Sequence, residues 1–515
     1  MARSGESDAV ERVVVRTSAG RVAGSRAGRV VVFRGVPYAA PPVDALRLAP
    51  PLSPVPWHGV RDAVTFAPPS YQTVLPGSSE DGLYANVWTP DTRGSRPVLV
   101  YIHGGGWKLG AGSDPNYDGA RLADRGDLVV VTFNYRLGPF GWGRHEDLTD
   151  DRTGSCGNWG LQDQVALLHW VRENAAAFGG DPGNITLAGT SAGGASTWQL
   201  GLLPETLGII RRIVPISACH VWSPATSLTP ADARTVYDTI AARLGTTVRG
   251  LREVPAATLQ NAWDTVFAGD PTQRLVTSGR EYRGPVLDRR WLPAFDYEQH
   301  PPRVPVLSIR TSTEGAFYTA PDSPQPDPRP VPSNDAELEV RIREFLEKGA
   351  TRVTDEQVDG CVAAYHAAAD GLPADIWTEV WGDGLFRYQI VRLAERHARH
   401  GRTPLYAMEF AHPVRPPFSG TPHEATSKFL FGTYGLAKNA AKFGDGLLER
   451  AVSDLFIDFV AAFADTGVPS AAWPIFDPGR PSTMVLGGDA VARVARTPKA
   501  RQLEFWDSAG WVPRP

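Results

Sequence analysis

The 515-residue chain is short of several things that would each have pointed to a class of function. It has three cysteines, Cys156, Cys219 and Cys361, too few and too scattered for a disulfide framework or a cysteine-rich metal knuckle. A reducing compartment and no metal are expected. Long apolar runs are missing too: those present, such as 98–102 and 128–131, are strand-sized and far below the roughly 18 residues that cross a bilayer. The formal charge is −4 with 21% charged residues, so there is no basic footprint for nucleic acid or an anionic membrane, and neither partner is expected. Residues 1–8 are polar and acidic where an export signal needs an apolar stretch. A cytoplasmic protein is expected, with residues 1–11 disordered. Lysine is scarce as well, six of 52 basic residues, which together with abundant Ala, Gly and Pro points to a high-GC bacterial gene.

What the chain does have is apolar content, 42%, enough for a large core. Short apolar stretches around Gly20 and Gly28 predict antiparallel strands over 12–33. The runs 83–88, 97–102 and 128–133 predict buried strands, and helical spacing from Leu161 to Phe178 predicts a helix that Gly179-Gly180-Asp181-Pro182 ends. Ile185 to Leu187 predicts a further strand, and 304–309 and 405–410 two more. Strand, helix and strand in alternation imply a mostly parallel sheet covered on both faces, an α/β fold. Residues 229–299 read as largely helical, 320–334 as a proline-rich loop, and 337–346 and 390–400 as helices. Insertions this long, 229–299 and 316–400, suit a helical cap over an active site on a single catalytic domain spanning 12–515.

Two motifs carry chemistry. Gly189-Thr190-Ser191-Ala192-Gly193-Gly194 follows one predicted strand and precedes a helix-compatible run to Leu200. This is the setting of a nucleophile elbow, where a tight strand-to-helix bend lifts a serine hydroxyl into a cleft. His103-Gly104-Gly105-Gly106 follows another predicted strand. Consecutive glycines let backbone N–H groups face a developing oxyanion, where each donor is worth about 3–4 kcal/mol in the transition state.

With these motifs the chain resembles the type-B carboxylesterase and cholinesterase-like family of α/β-hydrolases along nearly its whole length. Matching stretches include Phe33-Arg-Gly-Val-Pro-Tyr-Ala-Ala-Pro-Pro42, Glu80-Asp-Gly-Leu-Tyr-Ala-Asn-Val-Trp-Thr-Pro90, Asn134-Tyr-Arg-Leu-Gly138, Asn158-Trp-Gly-Leu-Gln-Asp-Gln164, Phe178-Gly-Gly-Asp-Pro182 and Phe463-Ala-Asp-Thr-Gly467. The family order of nucleophile, acid and histidine implies Ser191, then Glu314 in Thr313-Glu314-Gly315, then His423 in Gly420-Thr-Pro-His423. Asp288 and Asp383 are alternative acids; His366, His397, His400 and His412 are alternative bases with less suitable settings. The resemblance implies an oxyanion hole of Gly105, Gly106 and Ala192 N–H groups, an acyl-enzyme on Ser191, and no cofactor.

The chain departs from the family at four places. Thr190 stands where a glutamate usually precedes the nucleophile, Thr426 where another glutamate is common, with Glu424 beside it, and Gly82 where a disulfide cysteine is common. Pro215-Ile-Ser-Ala218 replaces a Gln-Ser-Gly segment, which leaves Ser217 as a supporting hydroxyl with a partner other than the family's. Losing the carboxylates disfavours cationic substrates, so a small neutral or anionic, partly apolar ester is expected. Trp107, Phe140, Trp142 and Trp222 adjoin the motifs and are candidate pocket walls. Three activities compete: ester hydrolysis; acyl transfer or amide or carbamate cleavage by the same triad; and non-catalytic binding, which the presence of all three triad residues disfavours.

Overall fold

The computed structural model describes residues 11–220, 229–268, 284–320, 331–347, 352–366 and 371–511. Their thirteen strands form one sheet. In chain order these are β1 (Arg12–Arg16), β2 (Arg21–Ala27), β3 (Val30–Pro37), β4 (Val60–Asp62), β5 (Tyr84–Thr89), β6 (Arg96–Ile102), β7 (Val129–Phe133), β8 (Gly180–Thr190), β9 (Ile210–Ile216), β10 (Val306–Thr311), β11 (Leu405–Phe410), β12 (Ser482–Leu486) and β13 (Ala492–Arg496). They lie in the order β1-β2-β3-β5-β7-β6-β8-β9-β10-β11-β12-β13, with β4 beside β2. Pairing is antiparallel from β1 through β5 to β7 and between β12 and β13, and parallel from β7 through β12.

Alternation along the central strands explains the two-faced core. In β6, Val98, Val100 and Ile102 join one apolar cluster, while Leu99 and Tyr101 join another on the opposite face. Helices Trp159–Asn174 and Ala192–Leu200 cover the first face, through residues such as Leu161, Leu168 and Trp198. Helix Leu447–Thr466 covers the second through Val452, Phe456, Val460 and Phe463. The predicted strands and the helix from Leu161 lie where expected, within two or three residues at their starts. The exception is the run at 185–187, which is part of the longer β8. Gly179, at φ 78°, ends the turn that follows the helix.

Other expectations need correction. Within 229–299, helices Pro230–Arg243 and Ala256–Ala268 form, but 284–299 is irregular, because Gly284, Pro285 and Pro293 break helical hydrogen bonding. Residues 269–283 and 321–330 lie outside the described residues. Of the segment 1–11, Glu11 is described: its carbonyl accepts from Arg26 N–H at 2.9 Å, and its carboxylate pairs with Arg26 at 2.8 Å. Among the described residues no helix is long and apolar enough to cross a membrane.

Two of the sequence motifs meet in a buried ion pair. Arg136 of Asn134-Tyr-Arg-Leu-Gly138 forks onto Asp163, with Nη2 and Nε donating at 2.7 and 2.8 Å, and both side chains are buried. Asp163 also accepts from the Arg136 backbone N–H, and Arg136 Nη1 donates to the Ala49 carbonyl. Removing one partner strands a buried charge. Arg136→Met is expected to destabilise the fold by about 3–5 kcal/mol, read as a lower urea midpoint. An unchanged midpoint would show that Asp163 is satisfied without the guanidinium.

Candidate active site

Ser191 sits on the bend between β8 and helix Ala192–Leu200, with φ 61° and ψ −123°, a conformation unusual for a residue with a side chain. Backbone bonds pin the bend: Ser191 N–H donates to Ile216 C=O at 2.9 Å, and Ser191 C=O accepts from Ala195 N–H at 2.9 Å. The turn is packed so closely that a Cβ at Gly193 would stand 2.2 Å from the Ile102 carbonyl oxygen. Surrounding structure holds the strain, as is typical at functional bends. The glycine loop after β6 lies against the same bend, where a Cβ at Gly104 would stand 3.1 Å from Ser191 Cβ. Gly105 and Gly106 have φ of 111° and 61°, and Ala192 opens the helix, where its N–H has no intrahelical acceptor.

Glu314 follows β10 and is 1% exposed. Its Oε2 lies 2.6 Å from His423 Nδ1, while its Oε1 accepts from Ser217 Oγ at 2.7 Å and from Thr311 N–H at 2.8 Å. Three groups thus fix the carboxylate. Ser217, at φ 43°, follows β9 and takes Glu314 as its partner. His423 stands between β11 and helix Ala425–Leu430; its Nε2 is buried with no hydrogen-bond partner among the described residues. Aromatic rings surround the imidazole, with centroids at 4.5 Å for Phe386, 5.6 Å for Tyr318 and 6.0 Å for Phe317. Ser191, Gly105 and His423 line one cavity of about 330 Å³, with Phe317 and Tyr318 also on its wall.

Both alternative acids, and His397 and His412 among the alternative bases, are engaged elsewhere. Asp288 accepts from the backbone N–H groups of Arg290, Trp291 and Leu292 and from Asn158 Nδ2. Asp383 accepts from Arg387, Tyr365 and Lys499. His397 meets the Thr403 carbonyl, and His412 faces Glu449 at 3.7 Å. His103 stacks on Tyr135, and its Nδ1 lies 2.8 Å from the Gly104 carbonyl oxygen. Burial pushes its pKa down to about 4, so the ring is neutral near pH 7 and shapes the glycine loop.

The family model for the carboxylesterase family matches residues 11–506. The chain belongs to this family. Among curated relatives, the para-nitrobenzyl esterase of Bacillus subtilis is 32% identical, over 96% of this chain and 98% of that protein. The phenmedipham hydrolase of Pseudarthrobacter oxydans is 33% identical, over 95% and 97%. Among solved structures, a Geobacillus stearothermophilus carboxylesterase superposes with a TM-score of 0.80 at 31% identity, over 96% of this chain and 99% of that one. The fold is that of the α/β-hydrolases, and this carboxylesterase is a carboxylic-ester hydrolase.

The esterase departs from several pocket expectations. Trp107, Phe140 and Trp142 are buried and are not among the residues lining the cavity. Trp107 donates to Ser196 Oγ and packs on Trp142, while Phe140 packs on Tyr71 and in the cluster under helix Pro230–Arg243. Each adjoins a motif, but its ring is packed in the core. Trp222 lies outside the described residues. Thr190 lines the cavity, and its hydroxyl bonds the Tyr101 hydroxyl at 2.6 Å. Glu424 does not supply the charge absent at Thr426, because Lys442 pairs with it at 3.1 Å. Sequence reasoning missed Phe317, Tyr318 and Phe386 around the imidazole, and Asp114, Lys428, Lys438 and Lys442 on the cavity wall. One signal was available: three of the six lysines fall within twenty residues after His423.

Proposed function

We propose that this protein is a serine carboxylesterase that acts through Ser191, His423 and Glu314. The reading is carried by the bridge from Glu314 to His423 Nδ1 at 2.6 Å, with the unpartnered Nε2 on the cavity that Ser191 also lines. Catalytic hydrogen bonds to a nucleophile often tighten only once substrate is bound. Nε2 then takes the Ser191 proton as Oγ bonds to the ester carbonyl carbon, and Glu314 stabilises the imidazolium. Gly105, Gly106 and Ala192 N–H groups hold the oxyanion. As the tetrahedral adduct collapses, the carbon–oxygen bond to the alcohol breaks, and the alcohol leaves with the proton from His423. Water repeats the sequence on the acyl-enzyme, releasing the acid and restoring Ser191.

The segments 229–299 and 316–400 serve as a cap over one catalytic domain, a reading supported by Phe317 and Tyr318 on the cavity wall. Cys156, Cys219 and Cys361 form no disulfide among the described residues, which suits a reducing bacterial cytoplasm. A fluorophosphonate probe followed by peptide mapping is expected to label Ser191 alone, with short esters giving acid and alcohol in equal amounts. Labelling elsewhere would overturn the assignment. Transfer of the acyl group to added alcohol in preference to water would make the enzyme a transferase on the same triad.

A further inference from the structure

Part of the cavity wall is cationic, in a chain with very few lysines. Lys428, on helix Ala425–Leu430, and Lys438 and Lys442, on helix Ala437–Phe443, all line it. Lys438 and Lys442 are four residues apart on one helical face, a like-charge spacing that disfavours the helix. Two carboxylates answer them: Asp114 lies 3.5 Å from Lys438, and Glu424 lies 3.1 Å from Lys442. Lys428 is left over. It is 7% exposed, its Nζ donates to the Glu424 carbonyl oxygen at 3.3 Å, and no carboxylate lies within ion-pair distance of it among the described residues. Nζ also stands 5.1 Å from the centroid of the Phe443 ring.

A buried ammonium without a counter-ion is costly unless something supplies the charge. Here it borders the same cavity as the candidate nucleophile, beside the polar side chains of Ser427 and Asn439. We propose that the cavity takes esters bearing a second, free carboxylate, which Lys428 binds while the ester carbonyl stands at Ser191. The inference rests on the serine-esterase reading. A monoanion matches the one ammonium without a carboxylate; a phosphate dianion would bring a second charge to face Asp114 and Glu424. Burial holds the Lys428 pKa down to about 8, so the group is cationic near pH 7 and loses its proton in mild alkali. The charged groups around it are Glu424, Asp114, Lys442 and Lys438, in that order of attraction and repulsion.

The carboxylate can ride on the acyl or the alcohol arm, and two pairs of esters separate these cases. Monoethyl adipate is compared with its neutral isostere ethyl 6-methylheptanoate, and 6-acetoxyhexanoate with 6-methylheptyl acetate. At about pH 7 and low salt, the anionic member of at least one pair is expected to have the higher kcat/KM by about tenfold or more. The pair that responds identifies the arm. Lys428→Met is expected to bring that ratio to about one, while Lys428→Arg retains most of it. In the unmodified enzyme the ratio is expected to fall between about pH 7 and pH 9.5, where the substrate carboxylate stays ionised and only the protein titrates. This second readout stands even if the methionine variant fails to fold. Hydrolysis of the neutral esters with no anionic preference, or a preference untouched by Lys428→Met and by pH, would overturn the inference and leave the serine-esterase reading intact. No hydrolysis of any of the four esters would overturn both.

Discussion

Ser191→Ala is expected to lower kcat on a short p-nitrophenyl ester by on the order of 10⁵- to 10⁶-fold, the loss seen when a triad nucleophile is removed from an otherwise complete site. The residual rate is expected to stay above that in water, because the N–H groups of Gly105, Gly106 and Ala192 survive the change. The Ser191 backbone geometry matters to this expectation. Its φ of 61° is held by hydrogen bonds to Ile216 and Ala195, not by the hydroxyl, so alanine should occupy the same bend. Steady-state kinetics together with an unchanged thermal melt would separate lost chemistry from lost fold. Hydrolysis at the original rate would remove Ser191 from the mechanism, and an acyl-enzyme on another residue would have to be sought by mass spectrometry.

The parts of this molecule that the sequence made legible are those where a local pattern has one structural solution. β6 and β7 are built on aliphatic runs, Val98–Val100 and Val129–Val131, that are buried on both faces, and the glycines around Ser191 permit a bend few other sequences could make. β9 escaped notice because Arg211, Arg212 and Pro215 interrupt its apolar run, although five of its seven residues are buried. β12 and β13 are five-residue strands near the sheet edge, and β13 sets Arg493 and Arg496 three apart rather than two, so neither has a strong period. Helix Leu447–Thr466 carries a readable stripe in Val452, Phe456, Val460 and Phe463, at helical spacing. The pocket was harder to read for a different reason. Phe386 reaches the imidazole from a π-helical turn at Asp383–Arg387, and Lys438 meets Asp114 across more than three hundred residues. Neither juxtaposition exists in any local window. The tryptophans beside the motifs misled because nearness in sequence to a catalytic turn does not decide which face of the sheet a ring fills.

Glu314→Gln is expected to cost about 10⁴-fold in kcat with little change in stability, and the hydrogen bonds around the carboxylate say why. Two donors, Ser217 Oγ–H and Thr311 N–H, converge on Oε1. In the variant they would hold the amide oxygen at that position and turn the NH₂ group toward His423 Nδ1. An NH₂ donor there requires Nδ1 to be the acceptor, which moves the ring proton to Nε2, the atom that must take the proton of Ser191. The imidazole would then be held in the wrong tautomer by the groups that orient the native acid. Ser217→Ala, by contrast, keeps the charge and the Thr311 bond and is expected to cost about tenfold or less. In the double variant one of the two donors fixing the amide is gone, so the amide can rotate and the imidazole can recover its working tautomer part of the time. Ser217→Ala is therefore expected to raise kcat in the Glu314→Gln background while lowering it in the native one. A kinetic double-mutant cycle reads this change of sign directly, and additive losses would refute the donor lock.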